Sequence, residues 1–284
     1  MPPFLSRLGL AGALLVLAHV VPAAAENQAP IPLPEAIRSA GVIRVGIEAT
    51  YPPMAYKDPA TNERRGLNVD LVTAIAKELN VTIQWEEMTF EQLITGINAG
   101  RVDFSGSSMT DLPARREKLS FVDYIATGPQ IFTTSRQSGG IATPLDMCGK
   151  SIATPRTTNY FPTAQAWSET HCVAAGRPPM QVIGTAGAAA SRADLQQGRA
   201  NAALLGAEYV AYLRQQDPGT FVAIGAPIAR NLSGLAFPRS NPGLRDAVAA
   251  ALKRLVANGT YLALLKKHGL EAQALTEITI DAGQ

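Results

Sequence analysis

The sequence contains few of the residues on which metal sites and nucleophilic active sites depend. Its 284 residues include only two cysteines and three histidines, and one of the histidines, His19, lies in an apolar N-terminal run. No CxxC or HxxxH spacing is present, which gives no reason to expect a zinc site. A Ser/His/Asp arrangement, a P-loop and a GxGxxG motif are missing from the sequence as well. These absences favour a binding protein without a cofactor over an enzyme.

A second long apolar run and an excess of charge of one sign are also absent. The formal net charge is only +2, so neither a nucleic acid nor a membrane surface is expected as a partner. The single apolar run, Leu8 to Val21, is short for a membrane span. Arg7 precedes it and Ala23-Ala24-Ala25 follows it, which predicts a signal peptide cleaved after Ala25, residues 1–25. A buried core helix is the alternative, although the Pro-rich stretch 26–34 follows at once.

The two cysteines bear on the compartment and on the fold. No cysteine directly follows the apolar run, so we expect a protein that is free in the periplasm and not lipid-anchored. In such an oxidising compartment the even pair Cys148 and Cys172 predicts a disulfide. Closing a loop of this length would stabilise the fold by about 3 kcal/mol in the chain-entropy model. A metal site is the alternative, but only His171 lies nearby as a further ligand.

Short β-rich runs alternate with helical apolar stripes, which predicts an α/β fold. Residues 42–47 have the pattern of a strand, and Asn68 is the predicted cap of the helix that follows. The second half repeats this alternation from residue 151 onward and ends in a helix that Asn241-Pro242 is predicted to begin. About 260 residues remain after the leader, enough for two lobes of ordinary domain size.

Two similar tetrapeptides indicate that both halves place a loop at the same point. Gly100-Arg101-Val102-Asp103 and Gly198-Arg199-Ala200-Asn201 each lie between a predicted helix and a predicted strand. The loops expected after these strands are Ser107 to Thr110 and Gly206 to Glu208. Because ligands bind outside the carboxyl ends of strands in open α/β sheets, two facing lobes would form a cleft at these loops.

The segment from Ser105 to Arg116 is the richest in polar groups. Hydroxyls and backbone N–H groups at a strand-to-helix turn can bind an anion, and here they would come from Ser107, Ser108 and Thr110. Arg115, one turn later, can bind a carboxylate through a bidentate pair. The alternative is a solvated turn in which the serines cap a helix.

Three further positions have both a binding and a structural interpretation. Tyr51 offers an amphipathic ring beside the cleft, or packs against the prolines that follow it. Phe90 begins a predicted helix and belongs either to the core or to the pocket. Thr158 and Asn159 follow a predicted strand, where they supply donors to a ligand or where Asn159 caps the next helix.

Together these motifs resemble those of the periplasmic amino-acid-binding proteins of ABC importers, solute-binding protein family 3. The resemblance covers about residues 37–270, and its most specific part is the helix that begins at Gly66-Leu67-Asn68-Val69-Asp70-Leu71, similar to the family's Gly-Phe-Asp-Val-Asp-Leu. Tyr51-Pro52-Pro53-Met54 is similar to Tyr-Pro-Pro-Phe. Residues 108–115, 149–153 and 258–261 resemble Gly-Met-Thr-Ile-Thr-Pro-Glu-Arg, Gly-Lys-Lys-Val-Gly and Asp-Gly-Thr-Tyr.

The resemblance implies a fold and a role. The fold is the two-lobe periplasmic-binding-protein fold (type II), with lobes joined by two hinge strands and closing around the ligand. Lobe 1 is expected to comprise residues 36–132 and 230–284, and lobe 2 residues 133–229. The implied role is that of an extracytoplasmic monomer that binds an amino acid or a related small carboxylate and delivers it to a membrane permease.

The resemblance also assigns the binding site. Arg115 would bind the α-carboxylate, while Thr110 and the backbone at Ser107 and Ser108 would help to hold the α-amino and carboxylate groups. The residues expected around the rest of the ligand are Tyr51 and Phe90 beside its side chain, Glu48 near its tip, and Thr158 and Asn159 from lobe 2.

The sequence departs from the family pattern at the ammonium end of this site. Gly206 stands where many members carry an aspartate that pairs with the α-ammonium, and a buried ammonium without acceptors is costly. Either Glu208 or Glu48 compensates, or the ligand is a keto acid or another organic acid without an α-amino group. Thr157 and Met54 also replace a family glycine and a family phenylalanine.

An enzymatic alternative exists on the same fold. Some relatives are periplasmic cyclohexadienyl dehydratases that act on prephenate or arogenate. Such an activity would need an acid in the cleft, and the sequence offers only Glu208 or Glu48 for this role.

Overall fold

The computed structural model describes residues 29–284, so the predicted signal peptide, residues 1–25, lies outside the described residues. All elements named here lie within residues 31–284, which form one unit. The strands are β1 (Val42–Ile47), β2 (Thr50–Tyr51), β3 (Ala55–Lys57), β4 (Arg64–Arg65), β5 (Thr82–Glu87), β6 (Phe104–Thr110), β7 (Leu119–Thr127), β8 (Pro129–Thr134), β9 (Ser151–Pro155), β10 (Gln181–Thr185), β11 (Ala202–Gly206), β12 (Phe221–Ala223), β13 (Asn231–Pro238) and β14 (Ala274–Ile280). The α-helices are α1 (Glu35–Ala40), α2 (Leu67–Glu78), α3 (Phe90–Asn98), α4 (Pro113–Arg116), α5 (Tyr160–His171), α6 (Ala188–Gln196), α7 (Ala207–Gln216), α8 (Pro242–Ala257) and α9 (Thr260–Lys267).

Two sheets organise these elements into two lobes. The six-stranded sheet of lobe 1 has the order β14-β7-β13-β6-β1-β5, and the five-stranded sheet of lobe 2 has the order β10-β9-β11-β8-β12. Both contain a parallel part, formed by β5, β1 and β6 in lobe 1 and by β10, β9 and β11 in lobe 2. The α/β, two-lobe fold expected from the sequence is confirmed.

The chain crosses between the lobes twice. It leaves β7 at Thr127 and enters β8 at Pro129, ahead of the expected boundary at Thr133, and it returns from lobe 2 just before β13. The two crossings touch: a Cβ atom on Gly128 would lie 1.7 Å from the carbonyl oxygen of Ala229. Only glycine fits at this contact, so the hinge depends on Gly128.

Helices α2 and α8 show how the apolar stripes build the core of lobe 1. The α2 side chains at Leu71, Val72 and Ile75 are buried as their spacing predicts. They belong to the same hydrophobic cluster as the buried apolar face of α8. Asn241 accepts a hydrogen bond from the backbone N–H of Leu244, as predicted for the cap before Pro242. The prediction for Asn68 is wrong: Gly66 is the N-cap of α2, and the buried Asn68 side chain accepts a hydrogen bond from the Tyr124 hydroxyl.

The α8 and α9 helices also bear on membrane insertion. Among the described residues no single helix is both long and apolar enough to cross a membrane, and α8 with α9 meets this condition only as a pair bent by 81°.

The two loops predicted from the tetrapeptides are not loops. Ser107 to Thr110 form the second half of β6, where Met109 and Thr110 pair with β13, whereas β1 pairs with β6 only at Phe104 and Ser105. Pairing with β13 outweighs the low strand propensity of this polar run. The other predicted loop is also absent, because β11 ends at Gly206 and α7 begins at Ala207.

The disulfide between Cys148 and Cys172 is confirmed. It joins a short 3-10 turn, Pro144–Met147, to the end of α5. Both half-cystines pack in the hydrophobic cluster of lobe 2, together with Met147 and Ile152.

Candidate functional site

A cavity of about 460 Å³ lies between the two lobes, a size typical of small-ligand sites. Its lobe 1 wall comes from the residues after β1, from β6 and from the start of α3. Its lobe 2 wall comes from residues 157–160, residues 186–190 and Glu208. These segments follow the carboxyl ends of strands β9, β10 and β11, which is where the α/β architecture places a ligand.

Most of the predicted site residues meet at this cavity. Those that line it are Glu48, Tyr51, Phe90, Ser107, Ser108, Thr110, Thr158 and Asn159. Arg115 and Gly206 do not line it, but each bonds to a residue that does. Arg115 donates to the carbonyl oxygen of Thr110, and the Gly206 N–H donates to the hydroxyl of Tyr51.

Arg115 supplies positive charge next to the cavity. Its Nη1 lies 2.9 Å from the Thr110 carbonyl oxygen, and its guanidinium carbon lies 5.9 Å from the centroid of the Phe90 ring. Burial lowers the pKa of Arg115, since it disfavours the charged form, but a guanidinium stays charged in proteins. No carboxylate of residues 29–284 forms an ion pair with Arg115, so its charge is available to a ligand.

Glu208 supplies a buried carboxyl group at the start of α7. Its side chain is 3% exposed and lines the cavity. Oε1 accepts a hydrogen bond of 3.2 Å from the Tyr51 hydroxyl, and Oε2 accepts one from the Thr127 hydroxyl. Burial raises the pKa of Glu208, and the bond from Thr127 partly opposes this. No lysine, arginine or histidine in the described part of the chain pairs with Glu208, so it lacks a counter-charge.

Glu48 and Glu91 add two further carboxylates to the lining. The Thr50 hydroxyl donates a 3.0 Å hydrogen bond to Oε1 of Glu48, whose pKa burial raises. The backbone N–H of Glu48 donates to the Ser107 hydroxyl and holds it in place. Glu91 is exposed at the rim of the cavity. No basic side chain of the described residues lines the cavity.

Contacts across the cleft show that the lobes are closed on each other. The Thr110 hydroxyl of lobe 1 donates a 3.2 Å hydrogen bond to Oδ1 of Asn159 in lobe 2. The ring centroids of Tyr51 and Tyr209 are 4.8 Å apart.

The two lobe 2 residues predicted beside the ligand use their side chains differently. Asn159 is the N-cap residue of α5, but its side chain makes no capping hydrogen bond and reaches across the cleft to Thr110 instead. The Thr158 hydroxyl is occupied locally, donating to the Pro155 carbonyl and accepting from the Tyr160 N–H. Of the two interpretations left open by the sequence, the cavity therefore favours the binding one for Asn159.

Several lining residues were not predicted. Asn68, Thr127, Tyr160 and Ser233 all line the cavity, as do the alanines at the start of α6. Tyr160 directly follows the predicted pair Thr158 and Asn159, so its position in the sequence could have indicated that it lines the cavity. Ser233 reaches the cavity because β13 pairs with β6, opposite Thr110, which no local pattern reveals.

The described residues offer no metal site. No group of three or more histidine, cysteine, aspartate or glutamate side chains within residues 29–284 could hold a metal ion.

Comparisons with known proteins agree with this geometry. The family model of bacterial extracellular solute-binding proteins, family 3, matches residues 43–271. The arginine-binding protein ArgT of Corynebacterium glutamicum is 28% identical over 88% of this chain and 81% of its own length. The L-cystine-binding protein TcyA of Bacillus subtilis is 27% identical over 81% and 82%.

A solved structure shows the same fold. The ancestral amino acid-binding protein AncCDT-1, a precursor of cyclohexadienyl dehydratase, superposes with a TM-score of 0.72 at 26% identity. The match covers 82% of this chain and 97% of that one. Since the family model spans well over half of the sequence, the chain belongs to the bacterial extracellular solute-binding proteins of family 3.

Proposed function

We propose that the ligand of this ABC-importer binding protein is an L-amino acid with a cationic side chain, held in the cavity between the lobes. Its family and its named relatives are amino-acid-binding proteins and not enzymes. Two of those relatives are named for arginine, and an ancestral arginine-binding protein of the same fold was solved with arginine bound.

The observation that carries this proposal is the charge of the cavity. Glu48, Glu91 and Glu208 line it, no basic side chain of the described residues does, and Arg115 adjoins it through Thr110. The α-carboxylate of an amino acid would pair with Arg115, and its α-ammonium would use one of the carboxylates. A neutral side chain would leave Glu48 partly buried without a counter-charge, which is unfavourable. A cationic side chain supplies that counter-charge.

The test is calorimetric titration with L-arginine, L-lysine and L-citrulline. Citrulline has nearly the shape of arginine but carries no side-chain charge, so it isolates the contribution of that charge. We expect citrulline to bind about tenfold or more weakly than arginine, the loss of one charge-assisted hydrogen bond. Equal affinities would contradict a cationic side chain.

Glu48→Gln provides the matching change in the protein. It should weaken the binding of arginine and leave the affinity for citrulline nearly unchanged, since only the arginine side chain has a charge for Glu48 to neutralise. Glu169→Gln, which changes an exposed glutamate on α5, is the control and should alter neither affinity. Tighter binding of L-cystine, the ligand named for another relative, would retain the amino-acid function and overturn the side-chain assignment.

The dehydratase alternative has less support. The solved structure from that lineage is itself named an amino acid-binding protein. Incubation with prephenate or arogenate should therefore give no aromatic product.

We further propose that the protein is exported as a monomer, with its signal peptide removed after Ala25 and no lipid anchor. N-terminal sequencing of the exported protein should begin at Glu26. Light scattering coupled to size exclusion should give the mass of one chain.

A further inference from the structure

Gly206 and Glu208 form a linked pair at the ammonium end of the cavity. We propose that Glu208 binds the α-ammonium of the ligand and that position 206 is glycine because the Glu208 carboxylate occupies the space of its side chain. This inference rests on the proposed function, since it assumes an amino acid, and it identifies the residue that recognises the α-amino group.

The first step is steric. A Cβ atom on Gly206 would lie 1.9 Å from Oε1, 2.5 Å from Cδ and 2.7 Å from Oε2 of Glu208. All three distances are far inside van der Waals contact. The backbone gives no other reason for glycine, because φ −63° and ψ 144° are accessible to any residue. The acid carried on α7 therefore occupies the volume into which a side chain at 206, the aspartate of other family members, would project.

The second step concerns the partners of this carboxylate. Both of its oxygens accept hydrogen bonds from neutral hydroxyls, those of Tyr51 and Thr127. These hydroxyls come from lobe 1, whereas Glu208 belongs to lobe 2. The hydrogen bonds fix the orientation of the carboxylate but leave its charge uncompensated, and its side chain still lines the cavity. An ammonium group in the cavity would compensate that charge.

The third step relates Glu208 to the carboxylate end of the site. Tyr160 lines the cavity and lies near enough to both charges to sense them. Burial raises the pKa of Tyr160, the charge of Glu208 raises it further, and the charge of Arg115 lowers it. A carboxylate and a guanidinium that both act on one phenol match an α-amino acid, whose ammonium and carboxylate groups are attached to a single carbon. Glu48 instead bonds to Thr50.

The experiment compares ligands with and without the α-ammonium. L-Arginine and 5-guanidinopentanoate differ only in this group, as do L-glutamine and 4-carbamoylbutanoate. Titration of the wild-type protein should show a preference for the amino acid of about 10- to 100-fold, the range of a charge-assisted hydrogen bond.

Glu208→Gln should remove most of that preference, because it should weaken the binding of the amino acid and not the binding of its des-amino analogue. Glutamine keeps the size of the side chain and an oxygen that can accept from one of the two hydroxyls, so folding should be retained, and thermal unfolding checks this. Glu169→Gln, the exposed control on α5, should leave the preference for the α-ammonium in place. A Glu208→Gln protein that retains the full preference would overturn the inference.

A rescue experiment tests the linked pair. Gly206→Asp should weaken L-arginine because it displaces the Glu208 carboxylate, and Glu208→Ala should weaken it because it removes the acid. The double variant Gly206→Asp/Glu208→Ala carries one acid at position 206 with space around it, and it should bind more tightly than either single variant by about tenfold. Additive losses in the double variant would contradict the linkage.

The two hypotheses fail in different ways. If the wild-type protein binds neither L-cystine nor any of the twenty L-amino acids, the proposed function fails and the inference fails with it. If it binds L-arginine but Glu208→Gln leaves the preference for the α-ammonium unchanged, the inference alone fails.

Discussion

Arg115 brings a positive charge to the cavity wall that no carboxylate of residues 29–284 neutralises. It contacts Thr110 and Phe90, both of which line the cavity, so a bound carboxylate would lie against the group that the sequence singled out. This assignment remains a prediction and can be tested by substitution.

Arg115→Ala should raise the dissociation constant for L-arginine by about 10- to 100-fold, because it removes a charge-assisted contact. The dissociation constant of Arg115→Lys should lie between those of wild type and Arg115→Ala, since lysine keeps the charge but lacks the planar pair of donors. Calorimetry measures both variants, and Arg136→Ala, on the surface of lobe 2, is the control. Unchanged affinity in Arg115→Ala would refute the carboxylate assignment.

At the level of elements, the strand β14 and the chain end are attached to β7 through Asp123. This fully buried carboxylate accepts hydrogen bonds from the Thr279 hydroxyl and from the Ala282 N–H. Burial and, after it, the neighbouring charge of Asp111 raise its pKa from the ordinary 3.8 to about 6. The folded protein therefore holds a proton at Asp123 that the unfolded chain releases at lower pH.

The sign of the resulting pH dependence follows from this difference. Asp123 stabilises the folded state below its unfolded pKa, and this contribution is lost as the pH rises through about 6. Asp123→Asn keeps an acceptor for both hydrogen bonds and removes the titration. Its unfolding free energy should lose this fall between about pH 4 and pH 6 and should exceed that of wild type by on the order of 1–2 kcal/mol near pH 8.

Urea unfolding at several pH values measures this effect. Asp217→Asn, which changes an exposed aspartate at the end of α7, should behave like wild type at every pH. A variant that is less stable than wild type at pH 8 would show that the negative charge of Asp123 is itself stabilising.

The element β6 shows why polar strands escape sequence analysis. Ser105, Ser107 and Ser108 suggest a loop, yet they lie in the strand β6, which pairs with β1 at Phe104 and Ser105 and with β13 as far as Thr110. Local composition cannot report the two neighbours that satisfy the backbone of this strand. For α2, by contrast, the helical spacing of Leu71, Val72 and Ile75 was sufficient, since one helix face decides which residues are buried.

At the level of the whole molecule, the closed arrangement predicts motion on binding. The contacts Thr110 to Asn159 and Tyr51 to Tyr209 join the lobes beside the cavity, and opening of the cleft would break both of them. Small-angle scattering should show a smaller radius of gyration with L-arginine than without it. An identical radius in both states would argue against closure upon binding.

The hinge gives a second prediction for the whole molecule. Gly128→Ala would place a methyl group 1.7 Å from the Ala229 carbonyl oxygen, so the two crossings must move apart. We expect a loss of stability on the order of 1–3 kcal/mol together with weaker ligand binding. Thermal unfolding and calorimetry measure the two effects. Gly139→Ala is the matched control, because a Cβ atom there contacts nothing, and a Gly128→Ala protein that matches it would contradict the role of the hinge contact.

The sequence by itself determined those features of the protein that depend only on residues close together in the chain. The helix cap at Asn241, the apolar faces of α2 and α8, and the family motifs that point to Arg115 follow from local spacing, and the pairing of Cys148 with Cys172 follows from their number. These features need no knowledge of distant contacts.

Only the tertiary structure distinguishes the two acids that could take the place of the missing aspartate. The sequence left Glu208 and Glu48 open, because both are acids close to predicted strand ends. Our proposal favours Glu208 because its carboxylate fills the volume beside Gly206 and accepts a hydrogen bond from Tyr51, a residue 157 positions away in the chain. Such a site exists only when two lobes close on each other, and no local pattern encodes the distance between them.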